Sequence, residues 1–135
     1  MAFQVKDSQP GATEKKATPT TTAITYGMPL KVTNNAFAVA TSGATVWYLA
    51  NGTKSVSDAA TTAIDAERVV EGKVYIADIG TGTMEDSYVD TAVDLKTGAV
   101  AGLDLTSTSN GDFLITGWDG VDTAKCWGVF TDAAF

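Results

Sequence analysis

The sequence predicts an all-β fold, a small β-barrel or β-sandwich of about seven to nine short strands with at most one short helix. Three observations support this prediction. Threonine and valine, which suit a pleated and half-buried surface, are frequent, and 13 glycines allow tight turns. Short apolar or alternating segments recur along the chain. Turn sequences such as Asn34-Asn35, Asn51-Gly52 and Asp119-Gly120 separate these segments.

Residues 1–22 are predicted to form an extended arm outside a single β domain at 23–135. From residue 9 to residue 22 the chain has two prolines and no large apolar residue, so burial of a core cannot offset the entropy lost on ordering. Ahead of this stretch, Phe3 and Val5 alternate with polar residues and could add as a strand to another subunit's sheet. A frayed terminus is the alternative. In either case we expect the domain to fold without residues 1–22.

The first half of the domain reads as closely spaced strands followed by one irregular region. Strands are predicted at 29–32, 36–40 and 44–49. Between Ser55 and Ala66 the pattern changes, because a serine and an aspartate that could cap a helix precede two alanines. We expect a short helix or an irregular loop there.

The second half returns to strands. They are predicted at 68–70, 73–79, 88–95, 100–105, 112–118 and 124–130. The strand at 73–79 is apolar on both faces and should be central. The strand at 88–95 alternates, which places Val93 and Leu95 toward the core and Asp90 and Asp94 toward solvent.

Charge argues against two classes of partner. The chain carries 9 Lys and Arg against 16 Asp and Glu, a net charge of −7, so phosphate backbones and anionic lipids would repel it. We therefore expect neither nucleic acid nor a membrane as partner, and the start of the sequence lacks the basic and apolar pattern of a secretory signal.

The sequence offers little for catalysis. It contains no histidine, which excludes catalytic triads built on histidine and the common histidine-containing zinc sites. Cys126 lies in an apolar strand and reads as a core residue rather than a nucleophile. Paired acids remain, with Glu85 and Asp86 near Asp90 or Asp94, but they fall in a turn and on a solvated strand face. We expect no enzyme, no metal site and no cofactor.

Aromatic residues are the main candidates for a binding surface. Trp47, Trp118 and Trp127 could form a stacking platform for a sugar. The alternative is that all three lie in the core or at a subunit interface. Phe135 is predicted to be a second small anchor, with a disordered chain end as the alternative.

Several segments together resemble a known group of proteins. The arm is followed by Tyr26-Gly27-Met28-Pro29-Leu30-Lys31-Val32 and Val46-Trp47-Tyr48-Leu49, and the chain closes with the segments 112–118 and 126–129. This layout, in an acidic chain rich in threonine, alanine and glycine, resembles the small capsid decoration proteins of tailed phages, also called cement or head-stabilising proteins.

The resemblance implies a non-enzymatic structural protein of the virion. Such a protein is made in the host cytoplasm, forms a homo-oligomer that is often a trimer, and docks on the outer surface of the capsid. There it stabilises contacts between neighbouring copies of the major capsid protein. The resemblance maps the family's N-terminal arm onto residues 1–22 and makes Phe3 and Val5 the expected capsid contacts.

Two other functions stay open on the sequence. One is a carbohydrate-binding or receptor-binding β module that uses exposed tryptophans instead of an arm. The other is a tail-tube or other structural subunit of a virion, which the isolated protein would reveal by assembling into rings.

Overall fold

The computed structural model describes residues 1–18, 23–96 and 102–135, and nearly all regular structure in these ranges is β. One short 3-10 helix, Asp86–Tyr88, occurs among the described residues, together with eleven strands. The strands are β1 (Phe3–Val5), β2 (Thr13–Ala17), β3 (Pro29–Thr33), β4 (Ala36–Val39), β5 (Tyr48–Ala50), β6 (Ala63–Arg68), β7 (Tyr75–Thr81), β8 (Ala92–Leu95), β9 (Leu103–Asp104), β10 (Phe113–Gly117) and β11 (Lys125–Phe130).

The strands form two sheets, which confirms the predicted all-β, sandwich-like class. The first sheet has the order β1-β7-β11-β10-β8-β9, and the second has the order β2-β6-β5-β3-β4. Strand β9 pairs antiparallel with β8 and parallel with β7. The first sheet therefore closes on itself through β7, β11, β10, β8 and β9.

The larger core is enclosed by the first sheet and by the side of β5 that faces it. Its buried members are Ala2, Phe3, Ala40, Val46, Leu49, Val69, Tyr75, Ala77, Met84, Val93, Leu95, Leu103, Leu105, Phe113, Ile115, Cys126 and Phe130. On β11 the residues alternate, with Cys126 and Phe130 inward and Trp127 outward. Gly128 also faces inward, and a Cβ there would lie 2.0 Å from the carbonyl oxygen of Leu114. Only glycine allows β10 and β11 to pair at this point.

The second sheet encloses a smaller core of its own. Its buried members are Ile24, Met28, Leu30, Phe37, Tyr48, Ala50, Ile64 and Ala66. The two outer strands of this sheet, β2 and β4, approach each other. The Lys16 Nζ on β2 donates a 2.7 Å hydrogen bond to Oδ1 of Asn35, which lies just before β4. The sheet is therefore curled around its own apolar residues.

The predicted division into an arm at 1–22 and a domain at 23–135 differs from the structure. Strand β1 pairs with β7 and strand β2 pairs with β6, so the segment 1–18 contributes one strand to each sheet. Phe3 is fully buried, with its ring centroid 5.6 Å from that of Phe113 and 5.0 Å from that of Phe130. Residues 19–22 of the predicted arm lie outside the described residues.

The error has a physical cause. Residues 9–22 contain no large apolar side chain, but β2 is held by backbone hydrogen bonds to β6 and by charged groups. Glu14 on β2 accepts a 2.7 Å hydrogen bond from the Arg68 guanidinium on β6. A polar segment can be ordered in this way when its backbone groups and charges all find partners.

Two other local predictions also differ from the structure. No helix forms between Ser55 and Ala66. The predicted loop alternative holds for residues 55–62, and the remaining residues belong to β6, which begins at Ala63. The strand predicted at 88–95 begins only at Ala92, because Asp90 has a left-handed backbone (φ 66°) in the preceding turn. Of the strand predicted at 100–105, residues 100 and 101 lie outside the described part of the chain.

Asp94 was predicted to face solvent, but the structure buries it. Its Oδ1 accepts hydrogen bonds of 2.8 Å from the backbone N–H groups of Asn110 and Gly111, and its Oδ2 accepts one of 2.6 Å from the Ser107 hydroxyl. Burial alone would raise the pKa of Asp94, but these hydrogen bonds outweigh it and lower the pKa. Asp94 therefore fixes the loop between β9 and β10.

Asp112 has a similar role at the neighbouring loop. Its carboxylate is buried and accepts hydrogen bonds from the Ser42 hydroxyl at 2.7 Å and from the backbone N–H groups of Gly43 and Leu95, each at 2.8 Å. The loop after β4 is thus joined to β8 and β10.

Replacing Phe3 tests whether the N-terminal strand belongs to the folded body. We expect Phe3→Ala to lower the free energy of unfolding by about 3–5 kcal/mol, because it leaves a cavity among packed aromatic rings. Gln4→Ala, an exposed position in the same strand, should change the free energy of unfolding by less than about 0.5 kcal/mol. Denaturant unfolding measures both values, and a Phe3→Ala protein as stable as the wild type would refute this packing.

Candidate binding surfaces around the amino-terminal segment

Residues 6–10, which connect β1 to the approach to β2, run across the surface between two clefts. The first cleft has a volume of about 450 Å³, and we call it the indole groove. Its lining includes Lys6, Asp7, Ser8, Lys73, Thr116 and Trp127. The second has a volume of about 310 Å³, and we call it the amino-terminal cleft. Its lining includes Met1, Gln4, Val5, Pro10, Asn51 and Glu67.

The indole of Trp127 forms one wall of the indole groove. Trp127 lies on the outer side of β11, opposite Gly117 of β10. A Cβ at Gly117 would stand 2.5 Å from the Trp127 Nε1, so the missing side chain makes room for the indole against the sheet. Thr116 lies where the register between β10 and β11 shifts, and its exposed side chain reaches the same groove.

Two lysines give the groove its charge. Lys6 Nζ lies 4.6 Å from the centroid of the Trp127 ring and donates a 2.6 Å hydrogen bond to Asp7. Lys73 Nζ donates a 2.5 Å hydrogen bond to the carbonyl oxygen of Gln9. An ammonium group has three donors, so each lysine can bind more than this one acceptor. The groove has two cations and one carboxylate, in a chain whose net charge is −7.

An exposed apolar residue, Met1, lines the amino-terminal cleft, and a second, Tyr26, lies in a segment hydrogen-bonded to Ala2. Met1 is 59% exposed and Tyr26 is 50% exposed. The Ala2 N–H donates a 3.4 Å hydrogen bond to the Tyr26 carbonyl, so the segments that contain Met1 and Tyr26 are neighbours. Gly27 has φ 79°, and a Cβ there would lie 2.5 Å from Met1 Cγ. We call Met1, Val5, Pro10 and Tyr26 the amino-terminal surface.

The last residues of the chain pack into a third feature, the carboxy-terminal corner. The Phe135 ring meets the Trp47 and Tyr48 rings edge-on, with centroid distances of 5.8 and 5.6 Å. The Arg68 guanidinium carbon lies 4.5 Å from the Phe135 ring centroid. The Ala134 N–H also donates a 3.0 Å hydrogen bond to the Val46 carbonyl. The chain end is therefore ordered against the second sheet.

Glu14 organises the charges of this corner. Its carboxylate accepts 2.7 Å hydrogen bonds from the Arg68 guanidinium and from the Tyr48 hydroxyl. These two bonds, with the Arg68 bond the stronger cause, lower the pKa of Glu14 from 4.5 to about 2. Glu14 therefore stays ionised at any pH near neutrality and holds Arg68 over the terminal ring.

The structure separates the residues that the sequence singled out. Phe3 is buried in the larger core, and Val5 is half-buried at the amino-terminal cleft. Trp127 meets the N-terminal segment in the indole groove, and Trp47 meets Phe135. Trp118 lies elsewhere and donates a 2.8 Å hydrogen bond from its Nε1 to Asp86. The three indoles thus have three different partners.

Other residues of these surfaces gave no signal in the sequence. Lys6, Lys73, Tyr26 and Arg68 reach their positions through pairing between distant strands, which local patterns do not encode. Cys126 fits its interpretation as a core residue, because it is fully buried and burial raises its pKa to about 12. A thiol in that state is a poor nucleophile at neutral pH.

Two other kinds of feature are not found within the ranges that the structure describes. No group of three or more acidic, cysteine or histidine side chains is arranged there to hold a metal ion. No helix in those ranges is long and apolar enough to cross a bilayer. No family model, curated protein or solved structure matches the chain.

Glu14 should contribute to the pH dependence of stability. Because folding lowers its pKa from 4.5 to about 2, its contribution is complete above about pH 4.5 and is lost as the pH falls toward 2. We expect Glu14→Gln to lower the melting temperature at pH 7 and to flatten its dependence on pH between 4.5 and 2. Thermal unfolding from pH 2 to 7 measures this, with the exposed Glu71→Gln as control. An unchanged pH profile in Glu14→Gln would contradict the assignment.

Proposed function

We propose that the chain is a non-enzymatic structural protein of a phage virion, which docks on the outer surface of the capsid and stabilises contacts between major capsid proteins. The observation that carries the proposal is the amino-terminal surface. Five large apolar side chains are exposed among the described residues: Met1, Tyr26, Val56, Val121 and Phe135. Two of these, Met1 and Tyr26, lie in neighbouring segments, and Met1 also lines the amino-terminal cleft.

The composition of this surface suits a protein partner. Tyrosine and methionine are enriched at protein interfaces, where they supply large apolar contact areas. Gln4, Asn51 and Glu67 line the same cleft and offer hydrogen-bonding groups around the apolar residues. A capsid segment that entered the cleft would cover Met1 and Val5 and would find polar partners at the rim.

The role that we propose for the N-terminal region is a docking surface within the folded body, whereas the resemblance implied a separate arm. Because β1 and β2 are already paired within the chain, the proposed docking surface is preformed. A preformed surface loses less conformational entropy on binding than an arm that orders only in the complex. Several copies in a trimer, as we propose, add avidity to a modest contact at each site.

The acidic side chains support a non-enzymatic role because structural contacts already engage them. Asp94 and Asp112 hold loops, Asp86 accepts a hydrogen bond from Trp118, and Glu14 pairs with Arg68. With no histidine in the chain, any acid–base mechanism would have to use carboxylates, lysines, tyrosines or the buried Cys126.

Attachment to capsids tests the proposal. We expect the wild-type chain to co-sediment with undecorated heads of the phage that encodes it, and to have the mass of a trimer in light scattering. Tyr26→Ser combined with Gln4→Arg should weaken attachment at least roughly tenfold, because it removes an aromatic contact and places a charge in the cleft.

The control replaces two apolar residues elsewhere that are more exposed than Tyr26, Val56→Ser with Val121→Ser, and should leave attachment unchanged. If the wild type did not bind heads, the capsid role would be wrong. If both double variants bound like the wild type, the amino-terminal surface would not be the docking site. Rings formed by the isolated protein would indicate a tail-tube subunit instead.

A further inference from the structure

We infer that the indole groove binds an acidic saccharide, a sugar that carries a carboxylate on its ring. This binding activity is separate from the proposed docking on capsids. The two clefts have different linings and share only Ser8 of the segment 6–10.

The size and walls of the groove fit a sugar. A volume of about 450 Å³ lies in the range of small-molecule sites, which run from about 300 to 1,000 Å³, and gives room for one or two sugar rings. The half-buried Trp127 indole and Val74 offer apolar surface. The C–H face of a sugar ring packs on such a surface, while its hydroxyls point to polar groups.

The polar groups around the indole match the rest of a sugar. The hydroxyls of Ser8 and Thr116 lie on the lining and can both donate and accept hydrogen bonds, as sugar hydroxyls require. The Thr116 hydroxyl already donates a 3.5 Å hydrogen bond to the carbonyl oxygen of Trp127, and it can still accept one from a sugar hydroxyl. The groove therefore combines one indole ring with hydrogen-bonding side chains around it.

The two lysines identify the charge of the ligand. Lys6 Nζ lies over the Trp127 ring at 4.6 Å, so a sugar that stacks on this face displaces the ammonium group to the edge of the ring, where it can pair with a carboxylate of the sugar. Lys73 supplies a second ammonium group on the same lining, and Asp7 neutralises only one of the two. The excess is one positive charge, which the carboxylate of one sugar ring balances.

The charge of the whole chain argues against ligands with denser charge. A polyanion such as a nucleic acid could contact the two lysines, but the rest of its charge would be repelled by a protein with a net charge of −7. A short acidic saccharide gains from both lysines and extends little further. The groove therefore favours a short saccharide with few charges over a polyanion.

Titration of the full chain with digalacturonic acid tests the inference. Tryptophan fluorescence and amide chemical shifts of Lys6, Lys73 and Trp127 should change saturably. We expect Trp127→Leu and Lys73→Gln each to weaken binding at least roughly tenfold. The controls are Trp118→Phe, whose indole lies outside this groove, and Lys15→Gln, an exposed lysine of β2; both should bind within about twofold of the wild type.

Three results would overturn the inference. The first is the absence of saturable binding at millimolar concentration. The second is equal binding of the uncharged disaccharide galactobiose, which would remove the role of the carboxylate. The third is equal binding of a tetraglutamate peptide, which would make the groove a general site for carboxylates. Thermal unfolding of each variant identifies any that fail to fold, and Lys73→Gln, which leaves the sheet packing intact, serves if Trp127→Leu unfolds.

Discussion

The packing of Phe3 against Phe113 and Phe130 is the contact on which the rest of this structure depends. Phe3 comes from the start of the chain and the other two rings come from its last hairpin, so one aromatic cluster joins the two ends of the sequence. Tyr75 extends the cluster through Phe130, with ring centroids 5.3 Å apart. Because Phe3 fixes β1, it also fixes the segment 6–10 that separates the indole groove from the amino-terminal cleft.

The sequence predicted those strands whose signals are local. Strands β3, β4, β10 and β11 combine apolar or alternating residues with turn residues at their ends, and both properties can be read from a short window. Strand β2 carries no such signal, since Glu14 and Lys16 are ordered by partners on β6 and near β4. Its formation depends on the tertiary structure, and that dependence explains why residues 1–18 read as an arm.

The candidate surfaces were predictable only in part, for the same reason. Tryptophan is conspicuous in any sequence, so Trp127 could be singled out before its surroundings were known. Lys6 and Lys73 are ordinary surface residues until β1, β7 and β11 align and bring them to the indole. The sequence thus identified the aromatic wall of the groove but not the cations that give it chemical character.

The closed ring of the first sheet has a consequence for how copies of this protein behave when they are crowded together. Each of β7, β11, β10, β8 and β9 has a strand on both sides, so this ring offers no vacant ladder that another chain could extend. Backbone pairing between crowded copies is therefore restricted to the edge strands, which are β1 in the first sheet and β2 and β4 in the second.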